Sequence, residues 1–135
     1  MDNDVERKSC SFCGVRGTRG MRFAGGLGAM ICEPCVAHFH QMFASPEQVA
    51  KASRPPWESM TDAELLSKIP MISTNADQVA DFLVEWVELA RARKISWAEI
   101  GKAMGISRQG AWERFAPRMN ATGATASSAS TVSTA

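Results

Sequence analysis

At 135 residues the chain is long enough for one domain or two small ones, and its composition changes along its length in the way two small ones would produce. The formal net charge of +1 assigns no partner by itself, because the charges are unevenly distributed. No apolar run approaches the roughly 20 residues that span a membrane, and the opening MDNDVERKS is charged rather than signal-like, so a soluble cytoplasmic protein is expected.

Residues 1–8 mix acids and bases around the single large apolar residue Val5 and are expected to be a flexible lead-in. Residues 9–43 hold every cysteine of the chain, as Cys10-Ser-Phe-Cys13 and, after eighteen intervening residues, Cys32-Glu-Pro-Cys35. Two residues between paired cysteines let one tight turn present both sulfurs to the same ion, so the spacing points to one structural Zn²⁺ held by Cys10, Cys13, Cys32 and Cys35. Two disulfides are the alternative, disfavoured in a reducing cytosol. A unit of about 40 residues buries too little apolar surface to fold alone, and a metal supplies the remedy.

Met21–Phe23 and Ala29–Ile31 flank the Gly25-Gly26 turn as two short strands. Pro34 at a first-turn position and Val36, Phe39 and Phe43 at helical spacing predict a helix from Glu33 to about Phe43, with Cys35 on its first turn. His38 and His40 on that helix are surplus to a closed four-thiolate shell and read as ordinary surface histidines. Arg16, Arg19 and Arg22 form either a solvated hairpin or a phosphate or acidic-peptide contact.

Residues 44–60, with Pro46 and Pro55-Pro56, predict a linker in which Trp57 is either docked or exposed. Thr61 and Glu64 form a capping box opening a short helix that Pro70 ends. From Asn75 to Arg93, Val79, Phe82, Leu83, Trp86 and Ala90 share one helical face, while Asp77, Asp81, Glu85 and Glu88 form an acidic stripe that is either solvated or meets a basic partner.

Ser96 and Glu99 form a second capping box, opening a helix that ends at Gly105, and Ser107 caps the next. In SWAEIGKAMGISRQGAWERF the small Gly101, the turn Gly105 and the inward Ile100, Met104, Ile106, Ala111 and Phe115 give a helix-turn-helix over residues 61–116, with Trp97 and the Phe82/Leu83/Trp86 face completing a three-helix core. The second helix of such a unit enters the major groove N-terminus first, which makes Ser107, Arg108, Gln109 and Trp112 the candidates to face DNA. Lys102, Arg91, Arg93, Lys94, Arg114 and Arg118 are candidates for phosphate contacts. Trp112, one residue after the core position Ala111, has three places open to it: buried, set against a partner, or on a thymine methyl.

Between Arg91 and Arg118 seven basic residues face only Glu99 and Glu113, a local charge of +5. From Glu47 to Glu88 eight acids outnumber three bases, a local charge of −5. That asymmetry is expected if the basic end alone meets nucleic acid. Residues 117–135 are small and polar beyond Pro117 and are expected to be disordered.

The first 40 or so residues, through CSFCG, the eighteen-residue spacer and ICEPCV, resemble the zinc-binding domain at the N-terminus of the ClpX unfoldase. That resemblance implies one zinc, dimerisation and recognition of adaptors, without catalysis. No G-x-x-x-x-G-K-[ST] loop follows, so no ATPase is implied. The stretch LARARKISWAEIGKAMGISRQGAWERF is similar to the C-terminal part of small actinobacterial proteins that join such a finger to a helix-turn-helix and are regarded as DNA-binding regulators.

The expected fold class is therefore a small α+β zinc ribbon or treble-clef-like module followed by an all-α helix-turn-helix domain. The expected function is DNA-binding transcriptional regulation, with double-stranded DNA as one partner and a homodimer or protein partner bound through the zinc module. An adaptor linked to a Clp-type protease, with no DNA role, is the alternative. No catalytic constellation stands out and no small-molecule substrate is expected.

Overall fold

The computed structural model describes residues 2–52 and 56–128 of the chain. It divides into two compact units, Met1–Ala80 and Asp81–Ala135.

In the first unit a short 3-10 helix, Asp2–Arg7, leads into the first cysteine pair, so the expected flexible start has a defined helical course. Strands β1 (Phe23–Gly25) and β2 (Met30–Cys32) pair antiparallel with Phe23 opposite Cys32 and Gly25 opposite Met30. The hairpin is thus tighter than expected. Gly26 N–H donates to the Ala29 carbonyl, which closes the turn and draws residues 24 and 25 into pairing. Helix α1 (Glu33–Phe43) follows directly, with Cys32 extended at its N-cap and Pro34 in its first turn, where a missing N–H costs nothing.

The stretch expected to be a linker holds helix α2 (Pro46–Ala52) and a 3-10 turn, Pro56–Ser59. Pro46 starts α2 rather than blocking it, because the first helical position needs no N–H donor; Pro55 lies outside the described residues.

Helix α3 (Asp62–Ala92) runs 31 residues without a break and carries the boundary between the two units, so the two expected helices and the stop at Pro70 are corrected to one continuous helix. Pro70 leaves the Leu66 carbonyl without its intrahelical donor. Every residue from Thr61 to Thr74 is exposed, so water can take that role. The capping box forms as expected, with Thr61 N–H donating to Glu64 Oε2 at 2.8 Å and Glu64 N–H to Thr61 Oγ1 at 3.3 Å.

In the second unit the C-terminal part of α3 packs with α4 (Trp97–Met104) and α5 (Arg108–Ser128). Val84, Val87, Ile100, Ala111 and Phe115 are buried, and Leu83, Ala90, Trp97, Met104, Ile106 and Met119 lie against them. The inward face of α3 is therefore centred on Val84 and Val87; Leu83 and Ala90 of the expected face join it, whereas Trp86 is 54% exposed and Val79 46%. Apolar residues on α3 outnumber what one core face can take, so spacing alone places the stripe off its centre.

The turn after α4 is built on glycine. Gly105 closes the helix in the left-handed region at φ 71°, and Ile106 N–H returns to the Gly101 carbonyl at 2.9 Å. A Cβ on Gly101 would lie 2.8 Å from the Ile106 carbonyl oxygen and 2.9 Å from that of Ser107, both backbone atoms, so only glycine admits this close approach. Beyond Pro117, where the sequence leads one to expect disorder, the chain follows a helical course to Ser128; residues 129–135 lie outside the described residues.

Candidate metal centre and recognition helix

The first cysteine pair turns tightly. Cys10 N–H donates to the Val15 carbonyl, Gly14 N–H to the Cys10 carbonyl, and Gly14 takes φ 78°. Ser11 locks this turn to β2, its N–H donating to the Met30 carbonyl at 2.7 Å while Met30 N–H donates back to Ser11 Oγ at 3.1 Å. Cys32 ends β2 and Cys35 sits on the first turn of α1, so the hairpin brings the second pair onto the first.

All four sulfurs lie within 4.8 Å of one another, with Cys10–Cys35 and Cys13–Cys32 each 3.8 Å apart. Four sulfurs at about 2.3 Å from a central ion, arranged tetrahedrally, stand about 3.8 Å apart, whereas a covalent S–S bond is about 2.05 Å. The cluster therefore fits a metal ion and not two disulfides. Neither His38 nor His40 joins it, in keeping with a set completed by sulfur alone.

The electrostatics favour the same use. Burial raises the Cys10 thiol, but the backbone N–H groups of Cys13, Cys32 and Phe12 more than offset it, and the pKa falls to about 6. Burial pushes Cys13 up, and burial together with the neighbouring cysteines pushes Cys35 up further. Of these three sulfurs Cys10 is the readiest to ionise. A cation at their centre favours all four thiolates, and the positive end of the α1 dipole beside Cys35 offsets part of their charge.

A contact with no local sequence signal steadies this module. Gln78 on α3 accepts from Ser9 N–H at 2.8 Å and donates to the Ser9 carbonyl at 3.0 Å, across 69 residues of chain. Of the three hairpin arginines, Arg22 forks onto Glu33, and Nε donates to Oε2 at 2.8 Å. Arg16 donates to the Glu6 carbonyl and, with Arg7 and Arg19, lines an open cleft of about 540 Å³.

In the second unit Ser107 caps α5, its Oγ accepting from Gly110 N–H at 2.9 Å. Arg108, Gln109 and Trp112 are exposed and, with Trp97, line one shallow pocket of about 270 Å³. Trp97 packs against the core, as expected, and also stands beside Trp112, a place that follows from the turn and not from periodicity. The Arg108 guanidinium has no partner among the described residues, whereas Gln109 Nε2 donates to Glu113 at 2.9 Å. Trp112 is 49% exposed, which removes burial from its three readings.

The remaining basic residues divide. Arg91 is half-buried, with Nη1 donating to the Ile95 carbonyl at 2.8 Å and its guanidinium 5.0 Å from the Trp97 ring centroid, so it ends α3 structurally. Arg93 and Lys94 are exposed at that end, and Lys94 takes φ 64°. Lys102 is exposed on α4. At about 100° per residue, Arg114 and Arg118 fall on the other flank of the Ala111/Phe115 stripe from Arg108 and Trp112. Arg114 lies over Phe115, and Arg118 pairs with Asp81 at 2.7 Å.

Over 58 residues the chain is 40% identical to an uncharacterised protein of Mycobacterium tuberculosis (strain ATCC 25618 / H37Rv), and equally to one of Mycobacterium bovis (strain ATCC BAA-935 / AF2122/97). The match takes in 42% of this chain and 23% of each relative, so the chain spans about a quarter of the length of the curated relatives it matches. No protein-family profile and no solved structure matches the chain. No helix among the described residues is long and apolar enough to cross a membrane.

Proposed function

We propose that the chain is a DNA-binding transcriptional regulator in which α4 and α5 form a helix-turn-helix and the four-cysteine module is a ClpX-type structural zinc site that serves protein contacts. The observation that carries the DNA reading is the N-terminal end of α5. There a serine-capped turn exposes Arg108, Gln109 and Trp112 together, while Ala111 and Phe115 on the same helix are buried. A helix so placed can enter the major groove with an unpaired guanidinium at its leading end, the group best suited to guanine O6 and N7. The local charge of +5 from Arg91 to Arg118 supplies attraction to phosphates.

Gln109 enters this reading with one constraint. Its Nε2 is engaged by Glu113, so the bidentate grip on adenine is weakened unless that bond opens, and Arg108 becomes the principal reader. Zinc is proposed for the cysteine site because four thiolates at tetrahedral spacing suit a borderline-soft ion without redox chemistry.

Enrichment of genomic fragments by the purified protein, followed by anisotropy titrations on the enriched duplex, tests the DNA reading. Binding should fall steeply with salt, and Arg108→Ala should weaken the best site by about 1–3 kcal/mol. Salt-independent affinity untouched by Arg108→Ala would overturn it.

A further inference from the structure

The first unit carries a cationic cleft that neither the cysteine site nor the DNA reading uses. Its lining is Glu6, Arg7, Arg16, Gly17, Thr18 and Arg19, so three guanidinium groups against one carboxylate leave a local charge of +2 around an open volume of about 540 Å³. The sequence groups Arg16, Arg19 and Arg22 on one ribbon; the structure breaks that set and makes another. Arg22 is neutralised by its fork onto Glu33, and Arg7 takes its place beside Arg16 and Arg19.

What brings Arg7 there is backbone packing around one glycine. Gly17 is buried, its N–H donates to the Lys8 carbonyl at 2.8 Å, and a Cβ on it would overlap the Val5 carbonyl. Ser9 forms a β-bridge with Arg16, and Arg16 Nε donates to the Glu6 carbonyl at 3.3 Å, which holds one edge of that guanidinium and leaves its two Nη groups open. Arg7 and Arg19 are exposed and hold no hydrogen bond or ion pair among the described residues. Three like charges gathered round one cleft repel one another, and an anion seated between them relieves that cost.

We propose that this cleft binds a chain of phosphate groups. The planar fork of arginine meets phosphate oxygens two at a time, and every cation in the lining is an arginine. The cleft is open and larger than one phosphate, so its three guanidinium groups can serve neighbouring phosphates of one chain. An acidic peptide suits it less. Peptides draw affinity from apolar pockets and backbone pairing, and no apolar side chain lines the cleft. Two sources carry such a chain, a nucleic-acid backbone and free polyphosphate, and both present the same oxygens. The site stands apart from the DNA reading, since it uses neither Arg108 nor a base sequence.

Fluorescence anisotropy of a labelled abasic phosphodiester chain of about five units, titrated with the metal-loaded full chain at about 50 mM salt, is the test. The dissociation constant should lie below about 100 µM and rise with salt. Arg7→Gln and Arg19→Gln, both at exposed positions, should each raise it at least about fivefold and together at least about 20-fold, with circular dichroism and metal content unchanged, while Arg22→Gln leaves it within about twofold. Arg19→Lys, which keeps the charge and loses the fork, should raise it at least about threefold. Displacement names the source. Tripolyphosphate that displaces the probe below the probe's own dissociation constant points to free polyphosphate, and weaker displacement points to a nucleic-acid backbone. No binding at about 1 mM protein overturns the proposal, as does an affinity that the Arg7→Gln/Arg19→Gln pair lowers by less than about fivefold. Tetraglutamate displacing the probe as well as unlabelled phosphodiester does would make the cleft a carboxylate site and overturn it too. Failure of the protein to enrich any duplex removes the DNA reading and leaves this result intact.

Discussion

A metal site is only as good as the backbone that aims its ligands, and here one side chain far along the sequence does part of the aiming. Ser9, next to the first ligand and nearly buried, has its N–H and its carbonyl both taken by the Gln78 carboxamide. Replacing Gln78 by alanine strands two buried backbone groups, and each unmet group costs about 1–3 kcal/mol. Gln78→Ala should therefore lower the thermal midpoint of the metal-loaded protein and speed metal loss to a chelator. An unchanged melt and unchanged chelation rate would show that water replaces the carboxamide at no cost. The four ligands were legible as four cysteines at a spacing that serves little else. Gln78 was not, because nothing local distinguishes it from any other polar residue on a helix.

At the scale of elements, the α4–α5 corner was the most legible part of the chain, since its capping box, left-handed glycine and close-approach glycine each leave a local mark. Ser96 N–H donates to Glu99 Oε2 at 2.8 Å, and Glu99 N–H to Ser96 Oγ at 3.2 Å. The bonds from Ser96 hold the Glu99 carboxyl below its ordinary pKa. A carboxylate whose pKa is lowered on folding stabilises the fold above its unfolded value and loses that contribution as pH falls through the lowered folded value. Acidification from about pH 5 toward pH 3 should then fray the start of α4, and Glu99→Gln should flatten that part of the pH dependence, read from amide chemical shifts of residues 96–100. Identical acid titrations in both proteins would remove the box from the account. Gly101→Ala sets a helix-favouring residue against two carbonyl oxygens that cannot move aside. Overpacking should win, with a loss of about 1–3 kcal/mol in denaturant unfolding; a gain would mean that the turn after α4 yields. The long helix was less legible. Pro70 reads as a stop wherever a carbonyl cannot be rehydrated, and local sequence does not report that residues 61–74 are exposed.

The whole molecule joins a unit whose organisation centres on a four-cysteine cluster that fits a metal ion to one with an apolar core of its own, and α3 belongs to both. The buried members of the second core, Val84, Val87, Ile100, Ala111 and Phe115, include none of the cysteine region. The first unit has as its most buried side chains Cys10 and Cys32, so little apolar burial remains there once the ion is gone. Metal removal should thus act locally. Helices α1 and α2 supply 18 of the 78 described α-helical residues, so complete chelation should remove at most about a quarter of the helical circular dichroism, with the hairpin amides losing protection and residues 96–119 keeping theirs. A single transition that takes the whole helical signal would mean that α3 transmits the loss from one unit to the other. Retention of every amide's protection after the metal is stripped would mean that the cysteines are not structural at all. The first outcome would make metal occupancy a switch for the exposed end of α5, and the local outcome confines the effect of the metal to the first unit.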